Sequence, residues 1–199
     1  IPFADGRCSF GVVAEQDFFE QYGYDYSADY DLASLLKRIL ADDASLSQVL
    51  RNAKFDTPVR TLVGYSADVK HLAARNYALL GNAGEFLDPV FSSGVTIAFK
   101  SAQLASECLA RRYAGEVVDW EAEFSVPLRA GVKTFRRFVE AWYQGGFQKI
   151  IYHPDQQPEI RGMICSILAG YAWDETNPFV SEPKRRLRML SDICATESP

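Results

Sequence analysis

Apolar residues recur at helical spacing along much of this chain. Residues 31–54 place leucine and isoleucine on one face, and the run Asp-Asp-Ala-Ser at 42–45 predicts a break into two helices. Asp29 or Asp31 is suited to cap the first helix. Residues 93–112 predict one long helix. Four residues recur on one face of it at a spacing of about four, and the small ones would let a neighbouring element approach closely: Ala98, Ala102, Ala105 and Leu109.

The pattern stays helical from Val117 onward. Pro127 predicts a kink or an interruption, because proline lacks the amide that an interior helical position donates. Gly145-Gly146 separates a further short segment. Two more helices are predicted near residues 157–171 and 181–194. The C-terminal half is therefore expected to be predominantly helical.

Short strand patterns lie in the first part of the chain. Asp5-Gly6 suits a tight turn, and residues 7–15 after it predict a strand, although only three residues precede the turn to pair with it. Residues 60–66 and 76–80 predict two more strands. The pattern as a whole predicts an α+β chain with short mixed or antiparallel strands.

Composition and charge restrict the function classes. The chain has 199 residues, a hydrophobic fraction of 48% and a formal net charge of −5, so it can bury a core but has no basic excess for a nucleic-acid partner. No run reaches the ~18–20 apolar residues of a membrane span, and no signal peptide is visible. These features predict a cytoplasmic location.

The remaining candidate side chains favour structural roles. The four cysteines show no metal spacing and are expected to be buried or half-buried free thiols: Cys8, Cys108, Cys165 and Cys194. His71 and His153 fit surface or loop positions, and no metal site is predicted. The aromatic cluster in residues 18–30 is typical of a core, or of the lining of an aromatic cleft.

The most informative stretch is GNAGEFLDPVFSSGV, residues 81–95. It joins the predicted strand at 76–80 to the long helix at 93–112 through small residues. At such a junction the first amides and the dipole of the helix point at whatever lies in front of it, which makes an anion-binding site. The chain lacks the Gly-x-Gly-x-x-Gly turn that opens a dinucleotide-binding unit.

This stretch resembles the second FAD-contacting segment of the flavin-dependent halogenases, which belong to the FAD-dependent monooxygenase superfamily. Ile1-Pro2 resembles the end of the family's Trp-x-Trp-x-Ile-Pro motif, residues 5–15 match its continuation, and residues 138–147 resemble its helical C-terminal part. The resemblance implies a C-terminal fragment of an FAD/NAD(P)-binding α/β fold. By this resemblance the chain divides into a partial substrate segment (1–75), an FAD-contacting strand, loop and helix (76–115) and a helical region (116–199).

The resemblance also implies site residues. Asn82 stands where the family usually has an aspartate that contacts the ribityl or phosphate region of the flavin, and Ser93 and Gly94 match the halide site, where backbone amides would bind the anion. The cofactor-binding residues implied as a group are Gly81, Asn82, Asp88, Pro89, Ser92, Ser93, Gly94 and Val95.

The implied chemistry starts from reduced FAD, supplied by a flavin reductase. Oxygen gives a flavin hydroperoxide, and attack by chloride or bromide then gives hypohalous acid, which halogenates an electron-rich ring. Phe91 stands where free-tryptophan halogenases carry a catalytic glutamate. The implied substrate is therefore a phenol, a pyrrole or an aryl group bound to a carrier protein.

The family's catalytic lysine lies upstream of Ile1, so no residue of this chain is assigned a catalytic role. The chain alone is expected to be inactive without the missing N-terminal half of the same protein. Two alternatives stay open: an FAD-dependent monooxygenase or oxidoreductase that does not use halide, and a non-enzymatic interaction domain.

Overall fold

The computed structural model describes residues 1–25 and 30–196. The chain divides into two compact units, Ile1–Val63 and Gly64–Pro199. The possible cap at Asp29 lies outside the described residues, and the division of the chain into three functional parts stays a prediction.

The first unit opens with the predicted Asp5-Gly6 turn. Gly6 has a φ of 84°, and the Phe3 amide donates to the Arg7 carbonyl at 2.9 Å. Among the described residues of this unit, β-pairing is confined to a single bridge between Pro2 and Cys8. The strand predicted over residues 7–15 is therefore wrong beyond this bridge, because only residues 1–3 are available to pair with it.

Three helices follow in the first unit: α1 (Gln16–Glu20), α2 (Leu32–Asp42) and α3 (Ala44–Val49). The Asp31 carboxylate caps α2 by accepting from the amides of Ala33 and Ser34 at 3.1 and 3.2 Å. The Asp43 carboxylate caps α3 through the Leu46 amide at 2.9 Å. These caps confirm the predicted break, because an aspartate satisfies the orphan amides of each new helix.

The second unit contains four strands of two residues each: β1 (Ala67–Asp68), β2 (Ala73–Ala74), β3 (Tyr77–Ala78) and β4 (Glu85–Phe86). β1 pairs with β4 and β2 with β3, both antiparallel, and Asp68 stands opposite Glu85. The strand predicted at 60–66 does not form, and the one at 76–80 shortens to β3. Each short strand finds only one neighbour, so pairing does not extend.

Up to residue 196, where the described part of the second unit ends, six α-helices follow the strands: α4 (Gly94–Tyr113), α5 (Val126–Tyr143), α6 (Gly146–Ile151), α7 (Pro158–Leu168), α8 (Pro178–Ser181) and α9 (Pro183–Thr196). A π-helical turn, Glu121–Ser125, leads into α5. Pro127 lies in the first turn of α5. An amide at that position would have no acceptor within α5, so the proline costs the helix no hydrogen bond. Gly145 adopts a left-handed φ of 76° and separates α5 from α6, as predicted. Short antiparallel strands with a mainly helical remainder confirm the α+β class.

Aromatic rings from different helices fill the core of the second unit. Phe124, Phe135, Phe138 and Phe147 are at most 1% exposed, and the rings of Phe138 and Phe147 meet edge-on at 5.2 Å. Each fully buried side chain of this size contributes about 1.5–3 kcal/mol to folding. The core therefore depends on rings supplied by the turn before α5, by α5 and by α6.

The polar residues predicted outside the site divide between surface and core. His71 is exposed. His153 lies in the loop after α6, as the surface-or-loop prediction allows, but it is buried, and its Nδ1 accepts from the Asp155 amide at 3.2 Å. All four cysteines are thiols rather than disulfides. Cys108 and Cys194 are buried, whereas Cys8 and Cys165 are exposed and correct the expectation that all four are shielded.

Gly131 lies on α5 directly against the indole of Trp173, whose Nε1 donates to the Pro127 carbonyl at 2.8 Å. A Cβ at position 131 would overlap that ring. We expect Gly131→Ala to lower the free energy of unfolding by about 1–3 kcal/mol through overpacking, measured by urea denaturation. Gly162 on α7 has open space around it, and a Cβ there would meet no atom within 4 Å. Gly162→Ala is the control and should stabilise by about 0.5–1 kcal/mol; equal effects of the two substitutions would contradict the packing.

Candidate functional site

Residues 81–94 connect β3 to α4 through two short 3₁₀ turns, Gly81–Ala83 and Pro89–Phe91, with β4 between them. Gly81 has a φ of 53°, and a Cβ there would lie 3.1 Å from the Cβ of Ala98 on α4. Two features of Gly81 therefore require glycine: the left-handed backbone and the close approach to the helix.

A hydrogen bond fixes this first turn to α4. The Gly81 amide donates to the Ser101 Oγ at 2.9 Å, and that hydroxyl donates to the Ala98 carbonyl at 2.8 Å. Ser101 is fully buried. Because both ends of the contact are shielded from water, the position of the turn on the helix is closely determined.

Asn82 lies on the exposed side of the same turn and faces the start of α4. Its Oδ1 is 3.4 Å from where a Cβ on Gly94 would be, so the Asn82 side chain lies close to the backbone of Gly94. The structure thus brings together two of the predicted site residues, separated by twelve positions in sequence.

Asp88 and Pro89 form the second turn. The half-buried Asp88 carboxylate accepts from the Val90 amide at 2.9 Å, and Pro89 is exposed at the first position of the turn. The pKa of the nearby Tyr65 is raised by burial, and by the charge and hydrogen bonding of Asp88. The observed role of Asp88 is to close this turn, and contact of either residue with a cofactor stays a prediction.

The start of α4 exposes backbone donors. Ser92 is exposed and left-handed at φ 53°, and Ser93 is buried and makes no side-chain cap. The first helical hydrogen bond runs from the Ile97 amide to the Ser93 carbonyl at 3.0 Å. Within residues 1–25 and 30–196, no acceptor lies on the first three helical amides, those of Gly94, Val95 and Thr96.

The positive field at this helix start meets no acidic side chain of its own first turn. The first turn of α4 carries no acidic residue, and Val95 is 68% exposed. The arrangement of accessible amides at the positive end of a 20-residue helix can bind an anion or the polar edge of a ring.

Phe91 belongs to the core. Its ring meets the rings of Trp142 and Phe147 edge-on, with centroids 5.8 and 5.5 Å away. The position that resembles the catalytic glutamate of free-tryptophan halogenases is thus an apolar anchor of the second turn in this chain.

Glu85 was missed by the sequence reasoning. It lies on β4 in the middle of the segment and is 5% exposed, with its carboxylate paired to Arg136 of α5. Arg136 is also 3.6 Å from Asp68, the cross-strand partner of Glu85. Burial raises the pKa of Glu85 from its ordinary value and outweighs the opposite effect of Arg136. A lone glutamate before Phe86-Leu87 was the available signal.

Apolar side chains follow the solvent side of α4 at intervals of three or four residues, with one gap of seven between Ala102 and Leu109. We call this stripe the outer α4 face: Val95, Phe99, Ala102, Leu109 and Tyr113. Phe99 is 74% and Tyr113 is 88% exposed. The outer α4 face begins at the helix start, beside Asn82.

Neither a metal centre nor a membrane-spanning helix is found in the described ranges, 1–25 and 30–196. No group of three or more histidine, cysteine, aspartate or glutamate side chains there is placed to hold a metal ion. No helix of those ranges is both long enough and apolar enough to cross a bilayer.

Known proteins resemble this chain in sequence and in fold. A tryptophan 2-halogenase from Chondromyces crocatus is 34% identical over 117 residues, which are 59% of this chain and 22% of that protein. A 1H-pyrrole-2-carbonyl-[peptidyl-carrier protein] chlorinase from Pseudomonas fluorescens is 25% identical over 200 residues, 100% of this chain and 42% of that protein. The chain thus spans less than half the length of these curated relatives. No family model matches it.

A solved structure, a flavoprotein/dehydrogenase from Cytophaga hutchinsonii, matches with a TM-score of 0.88 and 33% identity. The match covers 98% of this chain and 47% of that one. The fold therefore defines the chain as an α+β part of an FAD-binding flavoprotein.

Within that class, the chain resembles a C-terminal portion of the flavin-dependent halogenases, several of which match it over less than half of their own length. This confirms the resemblance that residues 81–95 carried.

Ser101 and Ser106 lie on the same helix, and each donates its hydroxyl to the carbonyl three residues earlier. Only Ser101 also accepts the Gly81 amide. We expect Ser101→Ala to lower the free energy of unfolding by about 1–3 kcal/mol, because a buried amide loses its acceptor. Ser106→Ala, the exposed control, should stay within about 0.5 kcal/mol of the unmodified protein in urea denaturation. A loss as large in the control would contradict the anchoring role of Ser101.

Proposed function

We propose that this chain supplies part of the FAD and halide site of an enzyme that halogenates an electron-rich aromatic ring. The observation that carries the proposal is the start of α4, where the amides of Gly94 and Val95 are free of acceptors in the described residues and Gly94 lies beside Asn82.

The residues present fit a flavin and a halide. A flavin offers oxygen and nitrogen acceptors along one edge of its ring and on its ribityl phosphate chain, and a halide is a bare anion. Backbone N–H groups at a helix start satisfy both kinds of acceptor without a cationic side chain. The left-handed backbone of Ser92 turns the chain into the helix just before these amides.

Each residue then has a defined part. Asn82 would hydrogen-bond the ribityl or phosphate region, with Gly81 keeping the turn close to α4. The amides of Ser93 and Gly94 would bind chloride or bromide, and because the Ser93 side chain is buried, this residue would act through its backbone. Gly94 and Val95 would face the flavin ring, while Asp88, Pro89 and Ser92 set the path of the loop.

Bound FAD would supply the redox chemistry, and the chain's own contribution is to bind, orient and exclude water. We assign no catalytic side chain to residues 1–199. The catalytic lysine, the rest of the flavin site and the supply of reduced FAD by a flavin reductase would come from outside the chain, which alone would be inactive. We propose a cytoplasmic location for the whole enzyme.

The proposed substrate is a phenol, a pyrrole or a carrier-bound aryl group. Phe91 packs in the core at the position that corresponds to a glutamate of free-tryptophan halogenases. Rings that are already electron-rich do not need such a carboxylate. One relative is named for a carrier-bound pyrrole, which supports this class, and another is named for tryptophan.

A second candidate is an FAD-dependent oxidoreductase that does not use halide. The flavoprotein/dehydrogenase that matches 98% of this chain favours it, since its name includes no halogenation.

The two candidates separate in one assay. The full-length protein is incubated with a flavin reductase, FAD, oxygen and either chloride or bromide, together with a phenol, a pyrrole or an aryl-loaded carrier protein. Mass spectrometry that finds a chlorinated or brominated ring supports the halogenase. Hydroxylation or oxidation without halide incorporation supports the second candidate and contradicts the first.

Val95 allows a test of the helix start itself. A carboxylate in the first turn stabilises a helix by about 0.3–1 kcal/mol but repels an anion bound to its amides. In the full-length protein we expect Val95→Asp to preserve the melting temperature while weakening FAD binding and raising the KM for halide, each by about tenfold. Val95→Asn, its uncharged isostere, is the control. If the two variants match in FAD affinity and halide KM, the helix start does not bind the anion.

A further inference from the structure

The buried ion pair between Glu85 and Arg136 ties the middle of the candidate site to a helix that supplies none of its predicted residues. Glu85 stands three residues after Asn82 and three before Asp88. Its carboxylate is paired with Arg136 on α5, 51 residues away in sequence. The pair therefore links β4, which lies between the two turns of the segment, to α5.

Arg136 also resolves a conflict within the β1–β4 pair. Asp68 and Glu85 are direct cross-strand partners, and two carboxylates in this arrangement repel each other. The Arg136 guanidinium contacts both, with Asp68 at 3.6 Å. Without it, β4 would carry a buried carboxylate next to a like charge, the most costly state for such a group.

A second arginine of α5 holds the same ribbon. Arg129 lies seven residues before Arg136, two helical turns away on the same face, and donates to the carbonyls of Val69 and Lys70, each at 2.9 Å. The two arginines hold β1, β4 and the chain after β1 against α5. The opposite end of the segment is held independently by Gly81 on α4.

We propose that Arg136 and Glu85 are positioning residues, which set the orientation of the 81–94 segment so that Asn82 and the α4 amides converge on one ligand. The inference rests on the proposed function for the identity of that ligand, FAD. Neither side chain touches the ligand in this scheme. Their effect is on the geometry of the groups that do.

The test uses the full-length protein and four variants, compared at a temperature where circular dichroism shows all of them folded. Arg136→Met removes the tie. Arg137→Met is the matched control, since Arg137 is the next residue on α5 and pairs with Glu140 at 2.6 Å on the same helix. Glu85→Gln removes only the charge of the acid. Glu85→Gln with Arg136→Met removes both charges, which relieves the unpaired buried carboxylate without restoring the tie.

Two readouts are measured: the dissociation constant for oxidised FAD, and hydrogen exchange of the amides in residues 82–95 without FAD. We expect Arg136→Met to weaken FAD binding about tenfold or more, as loss of an outer supporting residue does at other sites, and to speed exchange in the segment. Arg137→Met should change neither. Glu85→Gln should weaken FAD binding less than Arg136→Met, because its amide can still accept from Arg136. The double variant should regain melting temperature but keep the weak FAD binding.

Three results would overturn the inference. If Arg136→Met binds FAD as the unmodified protein does, the pair does not position the site. If the double variant regains FAD affinity together with its melting temperature, the pair acts only through stability. If the unmodified full-length protein does not bind FAD, the proposed function fails and this inference fails with it. The first two results are distinct from this one, because in both of them the unmodified protein binds FAD.

Discussion

The close contact between the Gly81 turn and α4 is the constraint on which the candidate site depends. A glycine with a left-handed backbone lies against Ala98, and its amide is held by a hydroxyl inside the core. This contact brings the exposed Asn82 amide group to the first turn of the helix. With any larger residue at position 81, the turn would stand away from α4 and the two halves of the site would separate.

Local signals were sufficient for most of the helices and for the strand-to-helix junction that forms the candidate site. Apolar periodicity predicted α2, α3 and α4, and Asp31 and Gly145 marked helix ends that the structure contains. The junction at residues 81–95 was recognisable because its small residues, aspartate-proline turn and helix start are contiguous in sequence. Such features depend on neighbours within a few positions, which a single sequence displays directly.

Long-range pairing was not accessible in the same way. Residues 7–15 and 60–66 have the composition of β-strands, but they lack partner strands, so the predicted strands do not form. The tie between Glu85 and Arg136 joins residues 51 positions apart, and nothing in either neighbourhood points to the other. His153 was predicted to lie at the surface or in a loop; it lies in the loop after α6, yet it is buried among residues of α6, α7 and α9.

The outer α4 face has a consequence for how this chain behaves in solution. A helix that exposes phenylalanine and tyrosine to water along one side has the character of a protein–protein interface. Proteins that expose such a stripe associate more as their concentration rises. Chaperones also bind exposed apolar surface of this kind. We therefore expect this exposed surface to favour association of these 199 residues at high concentration.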